Sequence, residues 1–559
     1  MRWGLVPAAM AGLLAVPAVA LAAAPARASA APSRDTPTTG RLLVTLKPPP
    51  AGQAQASAVL AVAARTGAHT TRLSIPQLRT VGVRAARGSS LRALAQRLRA
   101  DPQVAEVHAE QRFTLRYVPN DPAFTSSERG ENGTVTEWWA AREGLPSAWD
   151  LANGDGARVA VIDTGADATH PDLTNKIVAS ADFDGTGGAG PPTVDEEGHG
   201  THVASLACGE ADNGVGIAGS GLGCDLLVAK SDLSEGSVAQ ALIWAADNGA
   251  EAINMSFGTD GRAPAGDAFI KALEYANAKG AVLVAAAADD PVREQGYPAD
   301  ILQPTDTGGD LSRNFGLSVT AANAADDRAS FAGRGGQISM AAYGTYGPGG
   351  SAGLLGAFPA ATTALERGDS ALEQRPCHCR ATYNGDTRYA YLAGTSMSAA
   401  VVSGVAALMR HLNPDLPPAD VVRILKQTAR RPVEAWSPEL GWGILDAGAA
   451  VAAARSVDAH APSSQLSRPK VTGRSILLRW HGADDGVAGV VASGIDHFEV
   501  WRSAAGRPAR RISTTRAHTL RLRGVRGQRY GFFTIAVDHA GNREAPPAKA
   551  DASVRVARH

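Results

Sequence analysis

Short apolar runs alternate with helix-like stretches across residues 119–455, and this alternation limits the possible folds more than any other feature. The apolar runs are ARVAVID, CDLLVAK, EAINMSFG, AVLVAAA and LSVTAA, and the helix-like stretches include VAQALIWAADNG and DAFIKALEYANAKG. Apolar strands that alternate with helices are typical of a parallel sheet buried on both faces. The sequence therefore predicts an α/β fold, with a mostly parallel sheet and helices on both of its faces.

Several of these apolar runs end in a polar side chain. In open parallel sheets, ligands bind beyond the carboxyl ends of the strands. We therefore expect the functional site at that edge, where four polar residues follow strands: Asp163, Lys230, Ser256 and Asp289.

The N-terminus has the pattern of a secretory signal. Arg2 precedes an apolar stretch, and Ala28-Ser29-Ala30 fits a small-residue cleavage site. An uncleaved membrane anchor is the alternative, but Pro7 and Pro17 inside the apolar stretch favour a signal peptide. We predict a signal peptide over residues 1–30 and secretion of the protein, with association with the cell surface as a further option.

The rest of the chain divides into two smaller regions around the α/β block. Residues 31–118 predict a linker and a small α+β domain, because strand-like and helix-like segments follow one another there. Residues 456–559 contain alternating runs between Gly, Pro and Asp turns, which predicts a β-sandwich.

Charge is balanced over the whole chain but not within the last region. Lys plus Arg and Asp plus Glu both number 54, which gives no reason to expect nucleic acid as a partner. Residues 456–559, in contrast, hold 17 Lys and Arg against 8 acids. This excess is either a solvated basic surface or a binding surface for an anionic cell-surface polymer. We expect a monomer.

Four cysteines indicate cross-links rather than a metal site. Cys208 and Cys224 flank a glycine-rich loop that a disulfide between them could close. Cys377 and Cys379 are separated by a single residue, and no second pair with zinc-site spacing follows. A loop disulfide or two free thiols is therefore expected for the second pair.

Three short motifs carry side chains suited to nucleophilic catalysis. Asp163 lies in VIDTG, His199 in GHGTHVA, and Ser396 in GTSMSA at the start of a long apolar helix. Each has an ordinary alternative. VIDTG also resembles an aspartic protease motif with a second copy at 306–308, His199 and His202 could bind a metal, and Ser396 could simply cap its helix.

These alternatives are weaker than the combined pattern. No apolar strand leads into the second Asp-Thr-Gly copy, and no Glu stands at the spacing a zinc helix needs. The order Asp, His, Ser on an α/β block is the order found in subtilisin. Through VIDTG, GHGTHVA and GTSMSA, residues 120–455 resemble the subtilisin-like serine peptidases, the subtilase family.

The resemblance implies a role for each matching residue. Ser396 would be the nucleophile, His199 the general base and then acid, and Asp163 the residue that orients the imidazole. The family's substrate-binding strands are matched by five residues, which implies an extended polypeptide as substrate: Gly236, Ser237, Ser256, Phe257 and Gly258.

The same resemblance extends to the flanking regions. It implies that residues 31–118 contain an inhibitory propeptide that is removed by autoprocessing between about His108 and Val118, so that the chain is made as a zymogen. Residues 456–559 resemble a fibronectin type III or similar sandwich, with SGIDHFEVW and AVDHAGN as the matching segments.

The resemblance also implies a structural calcium ion, while the chemistry itself requires no cofactor. Asp172 and Asn213 match calcium ligands of the family, and the backbone carbonyls of Val215 and Ile217 are further candidates. Oxygen ligands of this kind suit calcium. An ordinary glycine turn is the alternative.

Asp289 departs from the family pattern. Most members have Gly-Asn where this chain has Ala288-Asp289, and the Asn amide donates to the oxyanion together with the backbone N–H of the nucleophile. A protonated Asp289 could donate in its place, and Asp290 could raise its pKa. In the alternative, the chain is a catalytically weak or inactive binding protein, as Ala400 and Val401 in place of the usual Pro and His also suggest.

Residues 345–390 form a Gly/Ala-rich insertion just before the nucleophile motif. We predict a surface loop that shapes the cleft.

Overall fold

A computed structural model describes most of the chain beyond the predicted signal peptide, and residues 1–30 lie outside the described part. The described residues are 38–48, 54–86, 90–111, 117–127, 135–183, 192–261, 263–347, 353–370, 375–430, 435–486, 490–504 and 507–558. The chain forms two compact units, residues 1–114 and residues 115–559. The predicted boundaries at residues 30, 118 and 455 stay predictions.

The first unit is an α+β domain, as the sequence predicts. Four antiparallel strands form a sheet in the order β2-β3-β1-β4, and two helices cover it. Val44 and Leu94 are among the side chains buried between the sheet and the helices. The elements are β1 (Thr38–Leu46), α1 (Gln55–Thr66), β2 (His69–Ile75), β3 (Thr80–Arg84), α2 (Leu91–Ala100) and β4 (Val104–Gln111).

A seven-stranded sheet in the order β11-β10-β9-β8-β5-β7-β6 dominates the second unit. Every neighbouring pair in it is parallel, which confirms the predicted α/β fold. The strands are β5 (Arg158–Asp163), β6 (Ile177–Asp182), β7 (Asp225–Lys230), β8 (Ala252–Met255), β9 (Val282–Ala286), β10 (Gly316–Ala322) and β11 (Met340–Tyr343).

Helices bury both faces of this sheet. The helices are α3 (Trp138–Arg142), α4 (Leu145–Trp149), α5 (His199–Cys208), α6 (Glu235–Asp247), α7 (Asp267–Ala278), α8 (Ala299–Leu302), α9 (Ala364–Arg367), α10 (Thr395–Leu412), α11 (Pro418–Thr428) and α12 (Ala447–Ser456). Alternate residues of β5 face opposite cores. Val159 and Val161 pack with α5 and α10, whereas Ala160 and Ile162 pack with α6 and α7.

The insertion before the nucleophile motif is not the surface loop that the sequence predicts. It contains a three-stranded antiparallel sheet in the order β12-β14-β13, formed by β12 (Leu354–Ala357), β13 (Arg380–Tyr383) and β14 (Asp386–Leu392). All four residues of β12 are buried, and the imidazole of His202 reaches the carbonyls of Leu354 and Ala390. The burial of these apolar residues against α5 makes the insertion part of the core.

Two four-stranded antiparallel sheets form the C-terminal region, as the sequence predicts. One has the order β15-β17-β16 with β20 also on β17, and the other has the order β19-β18-β21-β22. Trp480 of the first sheet and Phe532 of the second belong to one core. The strands are β15 (Ser463–Leu466), β16 (Lys470–Thr472), β17 (Ser475–Ala483), β18 (Ile495–Ala504), β19 (Arg507–Thr515), β20 (Thr519–Arg523), β21 (Arg529–Asp538) and β22 (Ala552–Arg555).

Both cysteine pairs form disulfides. Cys208 bonds Cys224, and Cys377 bonds Cys379, which selects the cross-link over the free thiols for the second pair. Within the described part of the chain, no helix combines the length and the hydropathy needed to cross a membrane.

Candidate active site

Asp163 and His199 meet at the carboxyl edge of the parallel sheet. Asp163 is the last residue of β5, and His199 is the first residue of α5. The imidazole Nδ1 lies 2.8 Å from Asp163 Oδ1. A side chain on Gly200 would meet the carbonyl oxygen of Gly165 at 2.1 Å, so the glycine allows helix and strand to approach this closely.

A second buried acid holds the start of α5 in position. The Asp195 carboxylate accepts hydrogen bonds from the backbone N–H groups of Gly198, at 2.9 Å, and Thr201, at 2.8 Å. It also accepts a hydrogen bond from the Thr164 hydroxyl, next to Asp163. Asp195 therefore ties together the two segments that carry Asp163 and His199, which the sequence analysis did not recognise.

The surroundings of His199 favour its protonated form. Burial lowers the pKa of the imidazole, but the charge of Asp163 and its hydrogen bond outweigh burial, so the pKa is raised above its usual value. Asp163 is 1% exposed. This pair can accept a proton at Nε2 and stabilise the imidazolium that results.

Ser396 lies at the N-terminus of α10, where backbone N–H groups and the helix dipole favour negative charge. Its hydroxyl donates to the carbonyl of Ser256 at 3.1 Å, and its own carbonyl accepts from the Ser256 hydroxyl at 2.9 Å. Among the described residues, Ser396 makes no hydrogen bond with His199. In active sites without substrate, hydrogen bonds of this kind are often long or poorly aligned and tighten when substrate binds.

Asp289 connects the two halves of the site. Its Oδ1 accepts hydrogen bonds from the backbone N–H of Thr395, at 2.7 Å, and from the Thr395 hydroxyl, at 2.9 Å. The charges of Asp289 and His199 affect each other's pKa, so the two side chains are near neighbours. The structure thus brings Asp163, His199, Ser396 and Asp289 to one edge of the sheet.

The pKa of Asp289 is raised. Part of the side chain is open to solvent, but dense protein on the other sides disfavours its charged form and has the largest effect. The hydrogen bonds from Thr395 and the charge of His199 act in the opposite direction, and Asp290 adds a small upward contribution.

The sequence analysis also missed Gln295, which supports the backbone next to Asp289. This amide is 3% exposed. Its Oε1 accepts from the backbone N–H of Ala288 at 2.9 Å, and its Nε2 donates to the carbonyl of Arg334 at 3.0 Å. Nothing in the local sequence distinguishes this Gln from a solvent-exposed one, because its partners lie on another loop.

The five predicted substrate-binding residues do not lie together on strands. Ser256, Phe257 and Gly258 directly follow β8, and Ser256 contacts Ser396 as described above. Gly236 and Ser237 lie in the first turn of α6 instead. The Ser237 hydroxyl is used inside the protein, where it donates to the carbonyl of Phe183 at 2.6 Å. The prediction that Gly236 and Ser237 form a substrate-binding strand is therefore wrong, because helical backbone cannot pair with a peptide.

Three of the predicted calcium residues are hydrogen-bonded around the buried carboxylate of Asp172, whereas Val215 is exposed and joins them only through its backbone N–H, which donates to Asn213 Oδ1 at 2.8 Å. Asp172 accepts hydrogen bonds from the amide of Asn213, at 3.0 Å, and from the backbone N–H of Ile217, at 3.3 Å. The hydroxyl of Tyr389 also donates to Asp172, at 3.2 Å. Burial raises the pKa of Asp172 to about 7, and these hydrogen bonds only partly oppose it.

Asp121 joins this cluster and was missed by the sequence analysis. It is fully buried, and its Oδ2 accepts from the backbone N–H of Asp212, beside Asn213. Its Oδ1 has no hydrogen-bond partner in the described part of the chain. Asp121 and Asp172 are close enough for the charge of one to raise the pKa of the other. Two neighbouring buried carboxylates, of which Asp121 has an oxygen without a partner among the described residues, fit a divalent cation.

The region that contains the three motifs is similar to known proteins. A model of the subtilase family matches residues 154–443. The chain is 31% identical to thermitase of Thermoactinomyces vulgaris over 302 residues, which cover 52% of this chain and 85% of thermitase. It is 31% identical over 402 residues to an extracellular protease of Xanthomonas campestris pv. campestris, with 65% of this chain and 61% of that protein covered.

The chain also matches solved structures over part of its length. A protease from Pseudoalteromonas arctica matches with a TM-score of 0.48 and 28% identity, covering 60% of this chain and 100% of that structure. The family model spans more than half of the chain. The chain therefore belongs to the subtilase family of serine-type endopeptidases.

Proposed function

We propose that this protein is a secreted endopeptidase that cleaves extended polypeptides through an Asp163–His199–Ser396 triad and an acyl-enzyme. The observation that carries the proposal is the 2.8 Å hydrogen bond between His199 Nδ1 and Asp163 Oδ1 at the sheet edge that also holds Ser396. Asp163 fixes the imidazole tautomer with Nε2 free, as a general base requires.

The reaction follows from these positions. Ser396 Oγ attacks the peptide carbonyl while His199 Nε2 takes its proton, and the imidazolium then protonates the leaving amine. Water attacks the acyl-enzyme in the second half, again with His199 as base. The N–H of Ser396 at the start of α10 donates to the oxyanion.

Asp289 is the second oxyanion donor in this proposal. Its Oδ1 is engaged by Thr395, which leaves Oδ2 as the atom that can carry a proton. Only the protonated form donates, because a carboxylate would repel the developing negative charge. The raised pKa of Asp289 supports this assignment.

A serine-reactive fluorophosphonate tests the peptidase against the alternative of an inactive binding protein. We expect covalent labelling of the purified chain, detected by intact mass, and no labelling of Ser396→Ala. Ser398→Ala is the matched control, since Ser398 is a fully buried serine of the same helix whose hydroxyl bonds the carbonyl of Ala342. Absence of labelling in the parent would favour the binding protein.

The N-terminal α+β unit is proposed to be an inhibitory propeptide. Intact mass of the expressed chain tests this zymogen model: the parent should lose a segment ending between about His108 and Val118, and Ser396→Ala should retain it. Retention in an otherwise active parent would contradict autoprocessing and leave the peptidase proposal intact.

Calcium is proposed to stabilise the fold without taking part in the chemistry. Asp121, Asp172 and Asn213 would hold the ion, with the backbone carbonyls of Val215 and Ile217 as further ligands. The bound ion would keep the carboxylates of Asp121 and Asp172 charged, since it offsets the burial that raises their pKa.

Attachment to an anionic cell-surface polymer is a second function, proposed for the C-terminal sandwich of a monomeric enzyme. Its support is the excess of arginine in residues 456–559. Retention of the protein on anionic polymer beads at low salt is the test, and no retention would end this part of the proposal.

A further inference from the structure

The two ends of the C-terminal sandwich carry opposite charge. At the end near residue 495, the carboxylates of Asp458, Asp484 and Asp538 lie within 4.8 Å of one another. This end contacts the catalytic domain, since His460 Nδ1 lies 2.5 Å from Asp415 Oδ2 and Asn413 donates to the carbonyl of Val457. The acidic end is therefore held against the catalytic domain.

Exposed arginines occupy the opposite end, where β18 ends and β21 begins. We call them the distal arginines, and they are Arg507, Arg523, Arg526, Arg529, Arg555 and Arg558. Within the described residues, none of the six forms an ion pair with an acid. The acids of the sandwich that do pair with arginines lie elsewhere, as Glu499 does with Arg511 and Arg543.

A groove with a volume of about 600 Å³ opens among the distal arginines. Arg507, Arg529 and Arg555 line it together with the polar side chains of Ser503 and Gln528. We call it the distal groove. Its volume lies in the range that binding sites for organic ligands occupy, about 300–1,000 Å³. It is open to solvent and large enough to hold a short length of a polar chain along its floor.

The groove is built at a cost to stability. Arg529 and Arg555 stand directly opposite each other on the antiparallel strands β21 and β22. Like charges in this position destabilise a sheet, and no carboxylate among the described residues neutralises them. An anion in the groove would relieve this repulsion.

We infer that the distal groove binds an anionic glycopolymer, a sugar or polyol chain that carries phosphate or carboxylate groups. This inference rests on the proposed attachment role of the sandwich and is independent of the peptidase. Arginine suits the ligand because its guanidinium binds phosphate and carboxylate through two parallel hydrogen bonds.

Among the described residues of its lining, the groove exposes no aromatic ring on which the bases of a nucleic acid could stack. Single-stranded nucleic acids stack their bases on exposed aromatic rings. Tyr530 is the aromatic residue of the groove lining, but it is 4% exposed, and the guanidinium of Arg502 lies 5.6 Å from its ring centroid. A charged polymer without bases fits this surface better.

Binding of the full chain to defined polymers tests the inference. The probes are poly(glycerol phosphate) and polygalacturonate, which separate phosphate from carboxylate recognition, with dextran as the neutral control and oligo-dT as the nucleic acid. All proteins carry Ser396→Ala to prevent self-digestion. The groove variant is Arg507→Gln, Arg529→Gln and Arg555→Gln combined.

The matched control combines Arg468→Gln, Arg479→Gln and Arg521→Gln, three exposed arginines away from the groove, so both variants lose the same charge. We expect the groove variant to lose about 100-fold in affinity, at roughly fivefold for each arginine. Its log–log salt slope should fall by about two between about 50 and 200 mM salt. The control should retain the parent's affinity within a few-fold.

Each of the remaining outcomes would contradict a different part of the proposed polymer binding. If the parent binds neither anionic polymer at low salt, the attachment role fails. Equal weakening of both variants would show that net charge, rather than the groove, binds the polymer. Binding to oligo-dT alone would replace the glycopolymer with nucleic acid. Equal thermal unfolding midpoints for all three proteins ensure that a loss of binding is not a loss of fold.

Discussion

Glu143 of the catalytic domain and Glu499 of the sandwich are both buried, yet their pKa values move in opposite directions. Burial raises the pKa of Glu143 to about 8, since one backbone N–H, that of Tyr343, is the hydrogen-bond donor to its carboxyl group. Burial also disfavours the charge of Glu499, but hydrogen bonds from Arg543, Trp501 and Arg511 outweigh it and lower the pKa to about 2. Among the described residues, the catalytic domain buries Glu143 without a cation bonded to its carboxyl group, whereas the sandwich neutralises Glu499 with two arginines.

The same contrast extends to function. Asp163, Asp195 and Asp172 are buried acids without an arginine or lysine partner among the described residues, and they lie at the proposed triad and at the proposed calcium site. The sandwich also buries Asp538 without an arginine or lysine partner among the described residues, but it exposes unpaired charge on the distal arginines. Proton transfer and ion binding need groups held in a site of low polarity, whereas capture of a large polymer needs charge at the surface.

The largest effect should come from Asp163→Asn. A mild effect would contradict the proposed catalytic role of this buried acid. The amide can stabilise the wrong imidazole tautomer, so we expect kcat to fall about 10⁴-fold. The groove variant, assayed with Ser396 intact, should keep kcat on a short soluble peptide within a few-fold. A large loss of kcat in the groove variant would mean that the two regions do not act separately.

Asp289→Asn should change the pH profile of activity. Asp289 must be protonated to donate, and it loses this proton as pH rises through its pKa. His199 must be neutral to act as base, and it becomes neutral as pH rises through its own pKa. The two requirements therefore oppose each other. The Asn amide donates at every pH. We expect the optimum to move to higher pH, with a gain of up to about 10²-fold on the alkaline side.

The control for this profile is Asp290→Asn, which alters the neighbouring charge without removing the proposed donor. It should move the optimum only slightly. A profile that is unchanged in Asp289→Asn would remove Asp289 from the oxyanion site.

Calcium should stabilise the catalytic domain through its buried acids. At a free concentration of about 100 times Kd, the gain in unfolding free energy is about 2.7 kcal/mol. We expect a chelator to lower the unfolding midpoint of the parent and to have no effect on Asp172→Asn. The effect of calcium should weaken as pH falls below about 7, because Asp172 then takes up a proton. A midpoint that is independent of calcium would contradict the site.

The smallest effect concerns the two glutamates themselves. Glu143 has a folded pKa of about 8 against an ordinary value of 4.5, so between these values the unfolded chain releases a proton that the folded chain retains. Stability therefore falls as pH rises, by about 1 kcal/mol from pH 7 to pH 8. Glu143→Gln should lack this loss in urea unfolding, and the exposed substitution Glu274→Gln should retain it.

For Glu499, the pH dependence of stability should have the opposite sign to that of Glu143, and Glu499→Gln should remove it. Its folded pKa of about 2 lies below 4.5, so its contribution is present above pH 4.5 and disappears as pH falls through about 2. At neutral pH the variant should lose about 1 kcal/mol, because its arginine partners are partly exposed to solvent. Equal signs for the two glutamates would contradict the comparison.

The catalytic domain could be predicted from sequence because its information is local. Strand periodicity, glycine turns and the residues around Asp163, His199 and Ser396 each fall within one short segment. The errors occurred where distant segments decide the structure. Gly236 and Ser237 were assigned by position in a motif, but α6 begins at Glu235 and takes both into a helix.

Contacts between distant segments could not be read from the chain. Asp121 reaches the calcium cluster through a loop more than ninety positions away, and Gln295 supports Ala288 only because the loop that carries Arg334 closes over it. Likewise, the basic excess of the sandwich is visible in its composition, but its separation from the acidic end depends on strand pairing.

The disulfide between Cys208 and Cys224 makes the stability of α5, the helix that begins with His199, depend on the redox state of its surroundings. His199 is the first residue of α5 and Cys208 is the last. The disulfide therefore holds the C-terminal end of the helix that carries the proposed base. A loop of this length contributes about 3 kcal/mol when closed. In a compartment that keeps thiols reduced, the chain would lack this support and be easier to unfold. Export to an oxidising compartment would thus stabilise the enzyme at the place where it could first cleave other proteins.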